Sequence, residues 1–197
     1  MKDNKEHILK IAFQLFMRKS YKAVTLKDII HATGLSNGTF YYYFENKEQL
    51  FKEVAEHYMF KLTRQTFENS PKDSLHNFIR HALNNFRHIF NTLHRNMESD
   101  LNVNFFSFLF EALRYFPELQ EELLKLQAQE TNAWVEIIGI AKKNSEIRQD
   151  IPDDAIAKLF IYASDGNRMD YVLDKDIEAL KSRMEILWNE LYNILKV

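Results

Sequence analysis

Apolar positions recur along the chain at intervals of three and four. Ile8, Ile11, Ala12, Leu15 and Phe16 form the first such stripe, which predicts an amphipathic helix over about residues 4–18. "KSYKAV" (19–24) interrupts it. Thr25 then precedes "LKDIIHAT", a short segment with one apolar face at Leu26, Ile29 and Ile30. Thr is a good N-cap, and Asp28 three residues on completes a capping-box pattern. Gly34 suits the left-handed position that ends a helix, and Ser36 caps the next one two residues later. Between them Leu35 is the expected buried plug.

Further on, Asn46 with Gln49 opens a helix expected over about 47–68, and "NSPKDS" (69–74) closes it. Leu75, Phe78, Ile79, Ala82, Leu83, Phe86, Ile89, Phe90 and Leu93 carry a clean helical stripe. "NTLHRNMESDLN" (91–102) is the weakest helical segment and reads as a loop. A helix over 103–116 ends at Pro117, and a long one over 118–145 has Lys142 and Lys143 near its end, as the helix dipole favours. Pro152 stands where a first helical residue belongs, before Asp153 and Asp154, with that helix running to about 172. Asp174 or Asp176 opens the last helix. No stretch reads as a strand, a repeat or a low-complexity segment, so the class is all-α.

The segment "GLSNGTFYYYFENKEQLF" (34–51) breaks the apolar-stripe pattern by running five aromatic residues together. On a helix, Phe40 and Phe44 share one side and turn to the core, which rotates Tyr41 and Tyr42 outward. Two short helices joined by "TGL" make a helix-turn-helix pattern, with residues 36–43 as the recognition helix. Its N-terminal residues would meet the major groove of double-stranded DNA. Gly38 permits the closest backbone approach, Ser36 and Thr39 offer hydroxyls, and Asn37 suits bidentate reading of adenine. Tyr41 and Tyr42 would lie across the sugar-phosphate backbone. Lys47 adds a cation beside the free N–H groups of the next helix start.

Charge agrees with a nucleic-acid-facing first third. The formal net charge is −2, yet residues 1–64 carry 11 Lys and Arg against 7 Asp and Glu, and the remainder 15 against 21. Only 4 Gly and 3 Pro point to long helices with short connections, and the absence of Cys excludes disulfides, zinc-thiolate sites and a thiol nucleophile. The N-terminus lacks the uncharged apolar core of a signal peptide, and no run of apolar residues is long enough to span a membrane. The expectation is a soluble cytoplasmic protein.

"TLKDIIHATGLSNGTFYYYFENKEQLF" (25–51) resembles the DNA-binding segment of the TetR family of bacterial transcriptional regulators. The pattern Gly-(Leu/Val)-Ser-x-Gly-Thr-(Phe/Leu)-Tyr-x-x-Phe-x-x-Lys-x-x-Leu runs through it uninterrupted. The resemblance implies a homodimeric, ligand-responsive DNA-binding protein, usually a repressor on a palindromic operator. It implies an N-terminal three-helix helix-turn-helix domain followed by a larger helical ligand-binding and dimerisation domain. The division read from the sequence is 1–46 for the DNA-binding domain, 47–70 for a connecting helix and 71–197 for the effector-binding and dimerisation domain. Carried over position by position, Thr25, Ser36, Asn37, Gly38, Thr39, Tyr41, Tyr42 and Lys47 occupy the DNA-facing positions. Asn37 stands where Lys is frequent in the family and Tyr43 where His is frequent.

In the last helix Ile177, Leu180, Met184, Leu187, Leu191 and Ile194 alternate spacings of three and four, a seam suited to packing against helices at a shallow angle. The expected partner across it is a second copy of the chain, with Trp188 and Tyr192 turned inward. In 103–116, Ser107, Glu111 and Arg114 form a narrow polar strip in an otherwise apolar helix, which is expected to be buried on more than one side. The family places its effector pocket among these central helices. The candidates for lining it, around an unidentified small apolar or amphipathic molecule, are Phe86, Phe90, Phe106, Phe110, Trp134, Ile138 and Tyr162. Asn167, Arg168 and His94 are candidate polar anchors. Gly166 is unusual inside a helix and points to a kink, a close helix crossing or a ligand approach.

Enzymatic chemistry finds no support in the sequence. His81 and His88 share a helix face but lie roughly 10 Å apart, too far for one metal ion. No phosphate loop, nucleophile elbow or paired-carboxylate motif occurs. The expectation is no cofactor and no metal. Two competing readings are a helical-bundle enzyme or carrier for lipid-like molecules and a ligand-free dimeric adaptor.

Overall fold

The computed structural model describes residues 2–61, 64, 69–95, 103–174 and 176–197, and the elements among them are helical. In chain order they are α1 (Lys2–Arg18), α2 (Leu26–Thr33), α3 (Asn37–Tyr43), α4 (Lys47–Ala55), α5 (Leu75–Arg95), α6 (Val103–Tyr115), α7 (Pro117–Lys143), α8 (Asp153–Asp174) and α9 (Ile177–Leu195). The one extended pairing among described residues is an isolated bridge between Ile147 and Lys196.

The chain packs as two units. The first comprises Met1–Leu62 with Thr92–Leu123, the second Thr63–Asn91 with Leu124–Val197. This differs from the division read from the sequence, because α6 packs on α1 and α4 rather than with the other later helices. Phe108 of α6 inserts among Phe13, Phe16 and Phe51, at ring separations of 6.0, 6.4 and 4.7 Å. Rings at these distances add stabilisation beyond the area they bury. In the same unit Lys52 binds both Glu48 and Glu118 at 2.6 Å while lying over the Phe116 ring.

Beyond Ala55, α4 widens into a π-helical turn over Glu56–Phe60. One extra residue per turn lets three consecutive large side chains, Tyr58, Met59 and Phe60, all face inward. Tyr58 stacks on Phe13 at 4.2 Å, and burial pushes its phenol up to about 12.

The second unit is built on Trp134. Its ring stacks on Phe160 at 4.6 Å and meets Phe78 and Trp188 edge-on at 4.8 and 5.2 Å. Leu75, Ile79, Ile138, Ile156 and Met184 complete this core.

Several boundaries shift from those read in the sequence. The stretch from 91 to 95 continues α5, because the apolar period carries through it, and 96–102 lies outside the described residues. Pro117 begins α7 as well as ending α6, since a first helical residue needs no N–H partner. The long helix stops at Lys143, where Ser145 adopts φ +56°. Pro152 precedes α8, its carbonyl accepting the Ile156 N–H. Asp176, not Asp174, caps α9, accepting the Ala179 N–H at 2.9 Å.

Candidate nucleic-acid interface

Each of the three helices around the turn starts on a side chain that satisfies a free backbone N–H. The Thr25 hydroxyl oxygen accepts the Asp28 N–H at 3.2 Å, and the Asp28 carboxylate accepts the Thr25 N–H at 2.9 Å. The Thr25 N–H, and the Thr25 hydroxyl that also donates to this carboxylate at 2.7 Å, hold the Asp28 carboxyl below its ordinary range. Gly34 sits at φ +67° and closes α2 through its N–H to the His31 carbonyl. A Cβ there would meet nothing within 4 Å, so the backbone angle and not space is what calls for glycine. Ser36 caps α3 through the Thr39 N–H, and Asn46 caps α4 through the Gln49 N–H at 2.8 Å.

With its ends fixed this way, α3 can turn only one side inward. Phe40 and Phe44 are fully buried, whereas Tyr41 and Tyr42 are 51% and 68% exposed. Ser36, Asn37 and Gly38 are exposed, and Thr39 is half-buried. Thr25 is exposed, while Leu35 is only half-buried, a partial plug. The outward strip is therefore small at its N-terminal end and aromatic at its C-terminal end. Gly38 has no near neighbour, since a Cβ would come no closer than 3.9 Å to the Ser36 hydroxyl. The fold does not require a glycine there.

Lys47 departs from the simple picture of a free cation. Its ammonium donates to the Tyr21 and Val24 carbonyls, both at 2.9 Å, and lies 4.4 Å from the Tyr21 ring centre. An ammonium has three donors, so one is left for a phosphate. The Tyr21 N–H in turn donates to Glu111 of α6 at 2.6 Å. The sequence marks Glu111 as part of a polar strip but does not pair it with Tyr21, which lies 90 residues away. Lys22 and Lys27, exposed on either side of Thr25, were also missed, although basic residues flanking a helix-turn-helix are a usable signal.

Residues 8–54 match the family model described as bacterial regulatory proteins, tetR family. Over that segment the chain is similar to TetR-family regulators. Among curated relatives, it is 24% identical over 95% of its length to the HTH-type transcriptional repressor DhaR of Mycobacterium sp. (strain GP1), covering 91% of that protein. It is 37% identical over 30% of its length to YerO of Bacillus subtilis (strain 168), an uncharacterized HTH-type transcriptional regulator, and there it spans only 20% of the relative. Its fold is similar to that of SmeT, the repressor of the Stenotrophomonas maltophilia multidrug efflux pump SmeDEF. The triclosan complex of SmeT superposes with a TM-score of 0.68 at 16% identity, covering 99% of this chain and 92% of SmeT. The family and the relatives' names are those of transcriptional regulators, which are not enzymes.

The described residues expected to line an effector pocket divide between the two units, and between core and surface. Trp134 and Ile138 are fully buried and packed in the second unit's core, with Phe86 half-buried against it. Tyr162 is 65% exposed on α8. In the first unit, Phe106 is half-buried and Phe110 is 64% exposed. The Phe90 and His94 side chains lie outside those described. Asn167 is committed internally, donating to the Leu180 carbonyl and accepting from Arg183, both at 2.8 Å. Arg168 pairs with Asp165 at 3.0 Å. Glu130, not singled out in the sequence, is half-buried on α7. Burial pushes its carboxyl up, Arg168 opposes and Asp165 adds to the rise.

An open cleft of about 470 Å³ lies in the first unit, lined by Lys5, Glu6, Tyr42, Tyr43, His57 and Lys61 among others. Its charged walls differ from the apolar pocket expected. On α9, Leu180 and Met184 are fully buried in the chain itself, which removes them from any partner-facing seam. The spacing identified a real stripe, but its Met184 and Leu180 meet Ser164 and Asn167 of α8, while Trp188, off the stripe, turns inward as expected and donates to the Phe160 carbonyl. Leu187 and Ile194 are exposed, and Ile177 and Leu191 are half-buried. Among the described residues, no group of His, Cys, Asp and Glu could hold a metal ion, and no helix is long and apolar enough to cross a membrane.

Proposed function

We propose that the regulator binds a palindromic operator in double-stranded DNA as a homodimer, acts as a repressor in the cytoplasm, and is released by a small apolar or amphipathic effector. The observation that carries this reading is the split of α3, with Phe40 and Phe44 wholly inside and Ser36, Asn37, Gly38, Tyr41 and Tyr42 outside. The exposed set has the composition of a groove reader and a backbone clamp. Thr25, Thr39 and Lys47 extend it towards the phosphates.

Two exposed apolar stripes support the dimer. Leu159, Tyr162, Met169 and Leu173 line one side of α8 with Gly166 at its middle, and Ile186, Leu187 and Ile194 line α9. A Cβ at Gly166 would stand in open space, which leaves room for a partner helix to approach closely. The effector is supported by the family's ligand responsiveness and by the triclosan complex of SmeT, whose fold is similar. It must bind one state of the dimer better than the other to shift it.

Selection of bound sequences from random duplex DNA at two salt concentrations tests the reading. The expected result is a palindromic consensus whose affinity falls steeply as salt rises. No enrichment at either salt, by protein purified through denaturation and refolding to strip any bound effector, overturns it.

A further inference from the structure

Residues 19–24 leave α1 through one last bond, Lys19 N–H to the Leu15 carbonyl at 2.9 Å, and carry the carbonyls that hold Lys47. Two short contacts anchor this turn on itself, Ala23 and Val24 N–H to the Ser20 carbonyl. Besides Lys47, a tie from outside the turn is Glu111, whose carboxylate accepts the Tyr21 N–H at 2.6 Å. A charge-assisted bond of this kind is stronger than a neutral one. Tyr21 therefore has its N–H held by α6, its carbonyl accepting from Lys47, and its ring under the Lys47 ammonium. Phe16, Phe51, Tyr115 and Phe116 wedge the same ring from four sides at 4.8 to 6.1 Å. Two of the residues in that wedge, Tyr115 and Phe116, belong to the end of α6 and the residue after it.

We propose that Glu111 is a positioning residue for DNA binding. Acting through Tyr21, it fixes the Lys47 ammonium with two donors on carbonyls and the third directed at a phosphate. The polar strip of α6 is thus an input to the DNA-binding corner, and any displacement of α6 along or about its axis changes what Lys47 can reach. The inference rests on the DNA-binding reading above. It adds a residue outside the helix-turn-helix to the set that determines affinity. The energetic logic is preorganisation: an ammonium already held at the contact position loses less freedom on binding.

The test is a two-by-two comparison of operator affinity in the full chain, using the consensus found by selection. Glu111→Met keeps the length and flexibility of the side chain and removes the acceptor, and Glu111→Gln keeps an acceptor oxygen. Glu111→Met is expected to weaken binding about five- to tenfold and to reduce the salt slope by about one, as loss of one phosphate contact does. Glu111→Gln is expected to restore most of both. In a Lys47→Ala background, Glu111→Met is expected to add nothing. Melting curves come first. Should Glu111→Met not unfold cooperatively, Glu111→Asp, one methylene short of the Tyr21 N–H, is measured in its place with the same expectation. Unchanged affinity, or a loss that leaves the salt slope intact and persists with Lys47→Ala, overturns the proposal. A wild-type chain that selects no DNA overturns the regulator reading as well. A wild type that selects DNA with an inert Glu111 overturns this inference alone.

Discussion

Trp134 and Trp188 share one core, 5.2 Å apart, and differ in the fate of a single hydrogen. The Trp188 indole N–H donates to the Phe160 carbonyl at 3.0 Å. The Trp134 indole N–H is buried and meets no acceptor. Replacing either by Phe removes about 50 Å² of buried ring, worth about 1.2 kcal/mol at about 25 cal/mol per Å². At position 188 the lost hydrogen bond adds about 1 kcal/mol, so Trp188→Phe costs about 2 kcal/mol. The Phe160 carbonyl keeps the Ser164 hydroxyl at 3.1 Å, so no acceptor is stranded. At position 134 the substitution also removes a stranded donor, whose burial costs about 1–3 kcal/mol. Trp134→Phe is therefore expected to fall between neutral and about 2 kcal/mol stabilising. Urea titrations at one fixed protomer concentration measure both. The chain has two Trp, so each variant keeps one fluorescent reporter in the second unit. Equal costs for the two variants, within about 0.5 kcal/mol, would refute the reasoning.

Three further outcomes are expected. Gly38→Ala, which meets only the Ser36 hydroxyl at 3.9 Å, should leave stability unchanged or raise it by up to about 1 kcal/mol, while weakening operator binding; equal affinity in a gel-shift titration would remove Gly38 from the interface. Glu130→Gln should raise the melting temperature at neutral pH. Its folded carboxyl titrates above its unfolded value, so stability is full below the ordinary carboxylate range and is lost as pH rises through the folded pKa; the gain should vanish below about pH 4, read by melts across pH. Leu173→Glu, at a position 78% exposed, should leave the protomer folded and shift it to monomer, as seen by sedimentation at micromolar concentration; an unchanged sedimentation coefficient would place the dimer seam elsewhere.

What could be read from sequence was what is local. The caps of α2, α3 and α4 depend on residues three positions apart, and Thr25, Ser36 and Asn46 form the bonds their side-chain chemistry predicts. The burial of Phe40 against the exposure of Tyr41 follows from helical rotation alone. Helical spacing also found the α9 stripe, but spacing says which residues share a face and nothing about what that face meets. Leu180 and Met184 turned to their own chain for that reason. The aromatic residues expected in a pocket could not be sorted by the same means, because a ring lining a cavity and a ring filling a core have identical periodicity. Trp134 is core and Phe110 is surface. The Glu111–Tyr21 bond was out of reach because nothing in either neighbourhood encodes a partner 90 residues away.

The residues that hold the helix-turn-helix together are different residues from those it shows to the outside. Caps and core rest on Thr25, Asp28, Gly34, Ser36, Phe40, Phe44 and Asn46. Asn37, Gly38, Tyr41 and Tyr42 are exposed and make none of those cap bonds. After gene duplication, a copy can exchange these four positions one at a time without passing through a form that cannot fold. On the proposed reading, a promoter can thus be abandoned and another acquired by inheritance of the same scaffold.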